Sequence, residues 1–182
     1  GLAPYFARVL PDAKFVSPNA PDQFDMAPFG YQWFSLSNPN DDRLSGAQAA
    51  APILNNYMDQ QMAAHGLSEA ETALVGFSQG TMMALHVGLR REIQLAGIAG
   101  YSGRLVGPEL LQTEMKTKPP VMLVHGEADE VVPPSSLKDA VSALAGVGID
   151  AMWEMRPDLG HGLDDRGITM GMEFLATCFS VP

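Results

Sequence analysis

The stretch VGFSQGTMMAL, residues 75–85, is the most informative segment for predicting the fold. Its first residues complete the apolar run TALVG, residues 72–76, which is typical of a strand covered on both faces. Its last residues have helical spacing. Between them, Ser78 stands in the pattern Gly-x-Ser-x-Gly, which is typical of a sharp strand-to-helix turn that holds a serine hydroxyl above a sheet. The pattern alone is weak, because chance supplies it in about one sequence of this size in ten. The flanking strand and helix give it weight.

Apolar runs of strand and helix type alternate on both sides of this turn, separated by glycines and prolines. The predicted strands cover residues 13–21, 72–76, 95–103, 120–126 and 149–155. The predicted helices cover residues 4–10, 45–66, 79–91, 135–146 and 165–179. This order predicts one α/β domain over residues 1–182, with a mostly parallel sheet and helices on both faces.

Three segments carry more detailed expectations. Residues 19–44 are predicted to form a long loop. Ser45 and Gln48 have capping-box spacing, and Pro52 is expected to kink the following helix or to reset its start. The last strand is expected to turn alternate side chains inward, namely Ile149, Ala151, Trp153 and Met155.

The composition excludes several classes of partner. The chain has 11 Lys plus Arg and 21 Asp plus Glu, a net charge of -10, which repels phosphate backbones and acidic membrane surfaces. No apolar run reaches the length of a membrane span, so no nucleic acid partner and no stable membrane insertion are expected. The single cysteine, Cys178, cannot form an internal disulfide, and this is consistent with a cytoplasmic location. No metal-ligand spacing or P-loop is present, and no cofactor or metal is expected.

The four histidines differ in their suitability as a base for Ser78. A serine hydroxyl needs a histidine within hydrogen-bond distance, which a third group orients. His161 follows the last predicted strand, at the same sheet edge as Ser78, and is the preferred base. His125 ends a strand at that edge, where a histidine more often makes structural hydrogen bonds. His65 ends a helix and His86 lies inside one, so neither is expected to take part.

Several carboxylates could orient this histidine. Asp129 follows the strand 120–126 and is the preferred acid, because it gives the order serine, acid, histidine that α/β-hydrolases have along the chain. Asp158 is nearer to the histidine in sequence. Asp164 and Asp165 are also near, but this pair is expected to cap the last helix.

The motifs that together point to a family are GFSQG (76–80), HGEADEVVP (125–133) and GHG (160–162). In this order they resemble the phospholipase/carboxylesterase family of α/β-hydrolases, which includes the acyl-protein thioesterases. PDAKFVSPNAP (11–21) and the pair Trp33-Phe34 are similar to the region that precedes the serine turn in that family. The resemblance covers nearly the whole chain.

The resemblance implies a serine hydrolase that cleaves carboxylic esters, thioesters or lysophospholipids. Ser78 would be the nucleophile, Asp129 the acid and His161 the base, and Gln79 would donate its backbone N–H to the oxyanion. The substrate would be a small-molecule or lipid ester. The side chains expected to bind it are those of Trp33, Phe34, Phe77 and Val132.

One feature of the family is absent from this sequence. Family members begin with a strand and a His-Gly-rich loop that supplies a second oxyanion donor, and Gly1 stands where that loop would end. We therefore expect an N-terminally incomplete hydrolase domain, whose unpaired sheet edge would favour a homodimer. The alternative is a weak or inactive α/β-hydrolase-fold protein that serves as a binding or scaffold protein. A dienelactone-hydrolase-like enzyme fits poorly, because that family has cysteine at the turn.

Overall fold

The computed structural model of the protein describes residues 2–37 and 43–180. Gly1 and residues 38–42 of the predicted long loop lie outside the described residues. The elements in chain order are α1 (Ala3–Phe6), β1 (Asp22–Gln23), β2 (Tyr31–Gln32), α2 (Leu44–His65), β3 (Ala73–Phe77), α3 (Gln79–Gly88), β4 (Gly97–Tyr101), α4 (Leu111–Glu114), β5 (Val121–Gly126), α5 (Ser135–Gly146), β6 (Met152–Arg156) and α6 (Asp165–Ser180).

The main sheet has four parallel strands in the order β3-β4-β5-β6. Since all four run in the same direction, their carboxyl ends lie at one edge of the sheet. Ser78 follows β3 directly, Asp129 follows β5, and His161 follows β6. The prediction of a mostly parallel sheet is confirmed, and its direction brings the three loops together.

Helices cover both faces of this sheet, as predicted. On one face, α3 and α5 pack against Ile98 and Leu123 of the central strands. On the other, α6 and Phe6 of α1 pack against Tyr101 and Val124. The two sets of strand residues alternate along β4 and β5, because successive side chains of a strand point to opposite faces. Buried apolar side chains on both faces therefore fix the positions of the strand ends.

The segment before α2 differs from its prediction. No strand forms over residues 13–20, where Pro18 has no N–H for a ladder hydrogen bond. The predicted loop instead contains an antiparallel pair, β1 with β2. The helix α2 begins at Leu44, with Arg43 at its N-cap in a left-handed conformation, so Ser45 is not the cap. Pro52 lies inside α2 and does not reset its start.

The outer strands are more exposed than expected. Val75 of β3 is 40% exposed, although the sequence predicted cover on both faces. Trp153 of β6 is 45% exposed, so its predicted inward position is wrong, whereas Ile149 and Ala151 are buried as predicted. Among the described residues, β3 and β6 each pair with a single neighbour. Outer strands have fewer neighbours to cover their side chains than the central strands β4 and β5.

Candidate active site

The turn after β3 holds Ser78 in a rare backbone conformation, with φ 53° and ψ -117°. Such a conformation persists only where the surrounding structure enforces it. A Cβ on Gly76 would lie 2.4 Å from the Gly80 carbonyl carbon and 2.4 Å from the Thr81 nitrogen, so only glycine fits at this position. At Gly80 the same test meets no atom within 4 Å. The first glycine of the pattern is therefore required by close approach, and the second is not.

Thr81 fixes this turn to the sheet from below. Its buried Oγ1 lies 2.9 Å from the carbonyl oxygens of Gly76 and Tyr101, and it accepts a hydrogen bond from the Tyr101 N–H at 2.9 Å. The backbone N–H of Ser78 also donates to the Tyr101 carbonyl, at 2.8 Å. These bonds join α3 to the ends of β3 and β4.

The structure brings the three predicted side chains of the triad together. The Nε2 atom of His161 lies 3.0 Å from Ser78 Oγ, and its Nδ1 atom lies 2.8 Å from Asp129 Oδ2. Because a carboxylate only accepts hydrogen bonds, Nδ1 carries the proton and donates a hydrogen bond to Asp129. Nε2 is then free to accept the hydroxyl proton of Ser78. This continuous chain of hydrogen bonds is the one that an activated serine requires.

The segment 126–132, here called the acid loop, buries the carboxylate of Asp129. Its Oδ1 atom accepts the N–H groups of Val131 at 2.9 Å and Val132 at 2.8 Å. Burial of the carboxylate has the largest single effect and by itself raises its pKa. The hydrogen bonds from His161, Val132 and Val131 outweigh it, so that the pKa of Asp129 lies below its ordinary value. The acid is thus held in its ionised form.

Backbone contacts join the acid loop to the loop that carries His161. The Ala128 N–H donates to the Leu159 carbonyl at 2.9 Å. Ser102, at the end of β4, donates from Oγ to the Gly162 carbonyl at 3.2 Å. Each of these bonds restrains a backbone next to the histidine. The orientation of the imidazole therefore depends on three strand ends.

The segment 22–37, here called the lip, is attached to the serine turn by one side chain. Gln79 accepts the Trp33 N–H at its Oε1 atom at 2.8 Å and donates from Nε2 to the Phe34 carbonyl at 2.8 Å. Its own backbone N–H is the first of α3, one of the four that a helix leaves without an intrahelical partner. One residue thus holds the lip by its side chain and presents a free donor beside Ser78.

The four side chains predicted to bind substrate fall into two pairs. Phe34 and Val132 are each 6% exposed and belong to the hydrophobic core around α2, so their burial does not support a substrate contact. Phe77 is 36% exposed, and its ring centroid lies 4.9 Å from that of His161, at an interplanar angle of 47°. Trp33 is half-buried. Phe77 is thus partly open beside the triad, and Trp33 is joined to the serine turn through its backbone N–H.

The competing histidines and acids have other positions. His65 is exposed at the end of α2, and Asp158 is exposed in the loop after β6. His86 is buried in α3, where burial and the nearby Arg90 lower its pKa to about 4. Asp164 accepts the Gly167 N–H at 2.8 Å and so caps α6, as predicted. His161 and Asp129 are the members of these two sets that complete the hydrogen-bond chain to Ser78.

Other features of the surface are distinct from the triad. A cavity of about 260 Å³ lies between Arg104, Val106 and the first turns of α5, and the described residues that line it include no member of the triad. Within residues 2–37 and 43–180, no group of three His, Cys, Asp or Glu side chains could hold a metal ion. In the same part of the chain, no helix is long and apolar enough to cross a membrane.

A parallel sheet that places a hydrogen-bonded serine, histidine and aspartate on three loops at its carboxyl edge defines the α/β-hydrolase class of protein. A sequence model described as Phospholipase/Carboxylesterase matches residues 1–179, and the chain belongs to this family. Its members include esterases and thioesterases, and the protein is a hydrolase of the carboxylesterase/phospholipase type.

Individual relatives agree with this assignment. The chain is 30% identical over 173 residues to esterase YpfH from Escherichia coli (strain K12), with 94% of this chain and 72% of that protein covered. It is 29% identical over 170 residues to acyl-protein thioesterase 1 from Gibberella zeae, with 84% and 71% covered. The crystal structure of esterase PE8 superposes with a TM-score of 0.93 at 41% identity and covers 97% of this chain and 84% of that one.

Sequence reasoning missed several residues that support the site. Thr81 and Ser102 were not singled out, and the side chain of Gln79 was given no role. For His125, the sequence predicts structural hydrogen bonds but not their partners. In the structure, His125 contacts Asp129. These roles depend on contacts between segments that are far apart in sequence. The one signal for them in the sequence is that each residue lies within a motif, or directly after a motif or a strand.

Proposed function

We propose that the protein hydrolyses carboxylic esters through an acyl-enzyme on Ser78. The observation that carries this proposal is the unbroken chain from Ser78 Oγ through His161 to Asp129, with distances of 3.0 and 2.8 Å. The hydroxyl stands on a strained turn at the carboxyl edge of the sheet. Family membership supports ester or thioester cleavage as the reaction.

The proton transfers follow from the hydrogen bonds. His161 accepts the Ser78 proton at Nε2 as the serine oxygen attacks the substrate carbonyl, and the resulting imidazolium is stabilised by Asp129. The same proton then passes to the departing alcohol or thiol, and an ester bond to Ser78 remains. A water molecule activated by His161 hydrolyses this ester and regenerates the free serine.

The negative charge that develops on the substrate oxygen needs hydrogen-bond donors. The backbone N–H of Gln79 is placed to donate, since it is the first of α3 and directly follows the nucleophile. The amino end of a helix also carries a partial positive charge, which favours an anion there. We assign Gln79 as one oxyanion donor of the site.

The surroundings of the serine favour an apolar acyl group. Phe77 lies against the ring of His161, and the lip, which is joined to Gln79, carries the exposed side chains of Met26, Phe29 and Tyr31. Carboxylic esters with an apolar acyl chain, including thioesters and lysophospholipids, are therefore the proposed substrate class. The cytoplasmic location and the homodimer stay predictions, and light scattering of the purified protein tests the second.

The direct test is hydrolysis of a short p-nitrophenyl ester by Ser78→Ala. We expect kcat to fall by about 10⁵-fold or more, because the nucleophile is lost. Ser142→Ala, which changes an exposed serine of α5, is the matched control and should retain the activity of the unmodified protein. Equal activity of Ser78→Ala and the unmodified protein would contradict the proposal, and absence of Ser78-dependent activity in the folded protein would favour the scaffold alternative.

A further inference from the structure

A second histidine lies against the acid of the triad. His125 is the fifth residue of β5 and is 1% exposed. Its Nε2 atom lies 3.0 Å from the Val132 carbonyl oxygen and 3.2 Å from Asp129 Oδ2. The mechanism proposed above assigns no role to this side chain, although it touches the one carboxylate on which that mechanism depends.

The carbonyl contact fixes the proton on His125. A carbonyl oxygen only accepts, so the 3.0 Å contact to Val132 requires a proton on Nε2. The Oδ2 atom of ionised Asp129 is also only an acceptor, and it lies within reach of the same N–H at 3.2 Å. The Nε2–H group thus donates its hydrogen bond to the Val132 carbonyl and keeps its polar edge against Oδ2.

The carboxylate of Asp129 is held by three hydrogen-bond donors and by the contact with His125. Oδ1 accepts the N–H groups of Val131 and Val132, Oδ2 accepts that of His161, and Nε2 of His125 lies 3.2 Å from the same Oδ2. The Asp129 side chain has no solvent exposure, so these donors replace the water that a carboxylate would otherwise bind. Without His125, Oδ2 would keep only its contact with His161.

We propose that His125 is a positioning residue, which holds Oδ2 of Asp129 in line with Nδ1 of His161. It ties the acid loop to β5 through its hydrogen bond to Val132 and limits the movement of the carboxylate through its contact with Oδ2. His125 contacts neither Ser78 nor the expected position of the substrate carbonyl, so it acts through Asp129. The inference rests on the proposed function, because it assigns a role around the acid of that triad.

The kinetic test compares two substitutions of the same residue. His125→Leu leaves the buried Val132 carbonyl without its donor and removes the polar contact with Oδ2, and it should lower kcat on a short p-nitrophenyl ester by about tenfold, with KM changed less. His125→Gln places an amide N–H near the position of Nε2 and should restore most of that loss. His86→Leu removes another buried imidazole, without contact to the triad, and should leave kcat unchanged.

A spectroscopic test does not depend on activity and so separates this inference from the proposed function. In protein labelled with ¹⁵N-histidine, two-bond ¹H–¹⁵N correlations report which ring nitrogen carries a proton, and His125→Gln identifies the signals of His125. We expect a proton on Nε2 of His125 and an altered Nδ1–H signal of His161 in His125→Leu. A ring protonated on Nδ1 alone, or full kcat in folded His125→Leu, would overturn the inference. If His125→Leu does not fold, the tautomer of His125 in the unmodified protein and the activity of His125→Gln still test the inference.

Discussion

The acid loop and the lip are held in very different ways. In the acid loop, the Asp129 carboxylate accepts three hydrogen bonds and contacts His125, and its side chain is closed to solvent. The lip is bound to the serine turn through the side-chain amide of Gln79. The difference indicates that the acid is held by a buried hydrogen-bond network, whereas the lip, which we propose to meet the substrate, is held by Gln79 and by the packing of Phe34.

The functional side chains of the two regions differ in exposure. The Asp129 side chain is closed to solvent, whereas Met26 and Phe29 of the lip are 65% and 76% exposed, although Phe34 of the lip is 6% exposed. A buried polar network tolerates few changes, because each unpaired group costs free energy. An exposed apolar segment tolerates many, and we expect substitutions in the lip to change substrate preference more than catalytic rate.

The largest effect should come from the acid loop. Asp129→Asn keeps the size of the side chain but favours the wrong tautomer of His161, and kcat on a short p-nitrophenyl ester should fall by about 10⁴-fold. Steady-state kinetics measure this change. A fall of less than about tenfold in a folded variant would show that Asp129 is not the orienting acid.

The serine turn connects the two regions, and its two glycines offer a matched pair. Gly76→Ala forces a methyl group to 2.4 Å from the Gly80 backbone and should lower the free energy of unfolding by about 3 kcal/mol. Gly80→Ala meets no atom within 4 Å and lies in α3, so it should raise that free energy by about 0.5–1 kcal/mol. Urea denaturation measures both. Equal stability of the two variants would contradict the close approach at Gly76.

Acid pH should weaken the acid loop. The pKa of Asp129 lies below its unfolded value of about 3.9, so the ionised carboxylate stabilises the fold above that pH and loses this contribution as pH falls through the lower folded pKa. Urea denaturation between pH 6 and pH 3 should show a steeper loss of stability in the unmodified protein than in Asp129→Asn. Parallel curves would mean that the hydrogen bonds to Asp129 do not favour its charge.

The smallest effect should come from the lip. Gln79→Met keeps the length of the side chain but removes the hydrogen bonds to Trp33 and Phe34, so the lip should lose its fixed position. We expect KM for a long-chain p-nitrophenyl ester to rise by about fivefold, and that for the acetate to change less. Gln60→Met, at an exposed position of α2, is the control. The ratio of KM for the acetate to KM for the long-chain ester should therefore differ between the unmodified protein and Gln79→Met. An equal ratio would show that the lip does not contact the acyl chain.

The sequence predicted the parts of the molecule that local patterns specify. Apolar runs located β3 to β6, and the motif order located Ser78, Asp129 and His161 on three loops at one edge. The direction of a parallel sheet then brings those loops together, so their closeness follows from topology. The distances of 3.0 and 2.8 Å do not, because they depend on how loops from three strands pack.

Other features depend on contacts that no local pattern contains. The bonds from Gln79 to Trp33 and Phe34 span 46 and 45 residues, and the bond from Ser102 to Gly162 spans 60. The exposure of Trp153 follows from the position of β6 at the edge of the described sheet. Phe34 is buried against Gly46 of α2. Because glycine has no side chain, the ring can lie where a Cβ atom would otherwise be. Each is a property of tertiary structure.

The central claim is that Ser78 is an activated nucleophile. Labelling with a fluorophosphonate probe, which reacts with activated serines, tests it most directly when read by intact-protein mass spectrometry. We predict one probe per molecule in the unmodified protein and in Ser142→Ala, and none in Ser78→Ala. Equal labelling of Ser78→Ala, or no labelling of the folded unmodified protein, would contradict it.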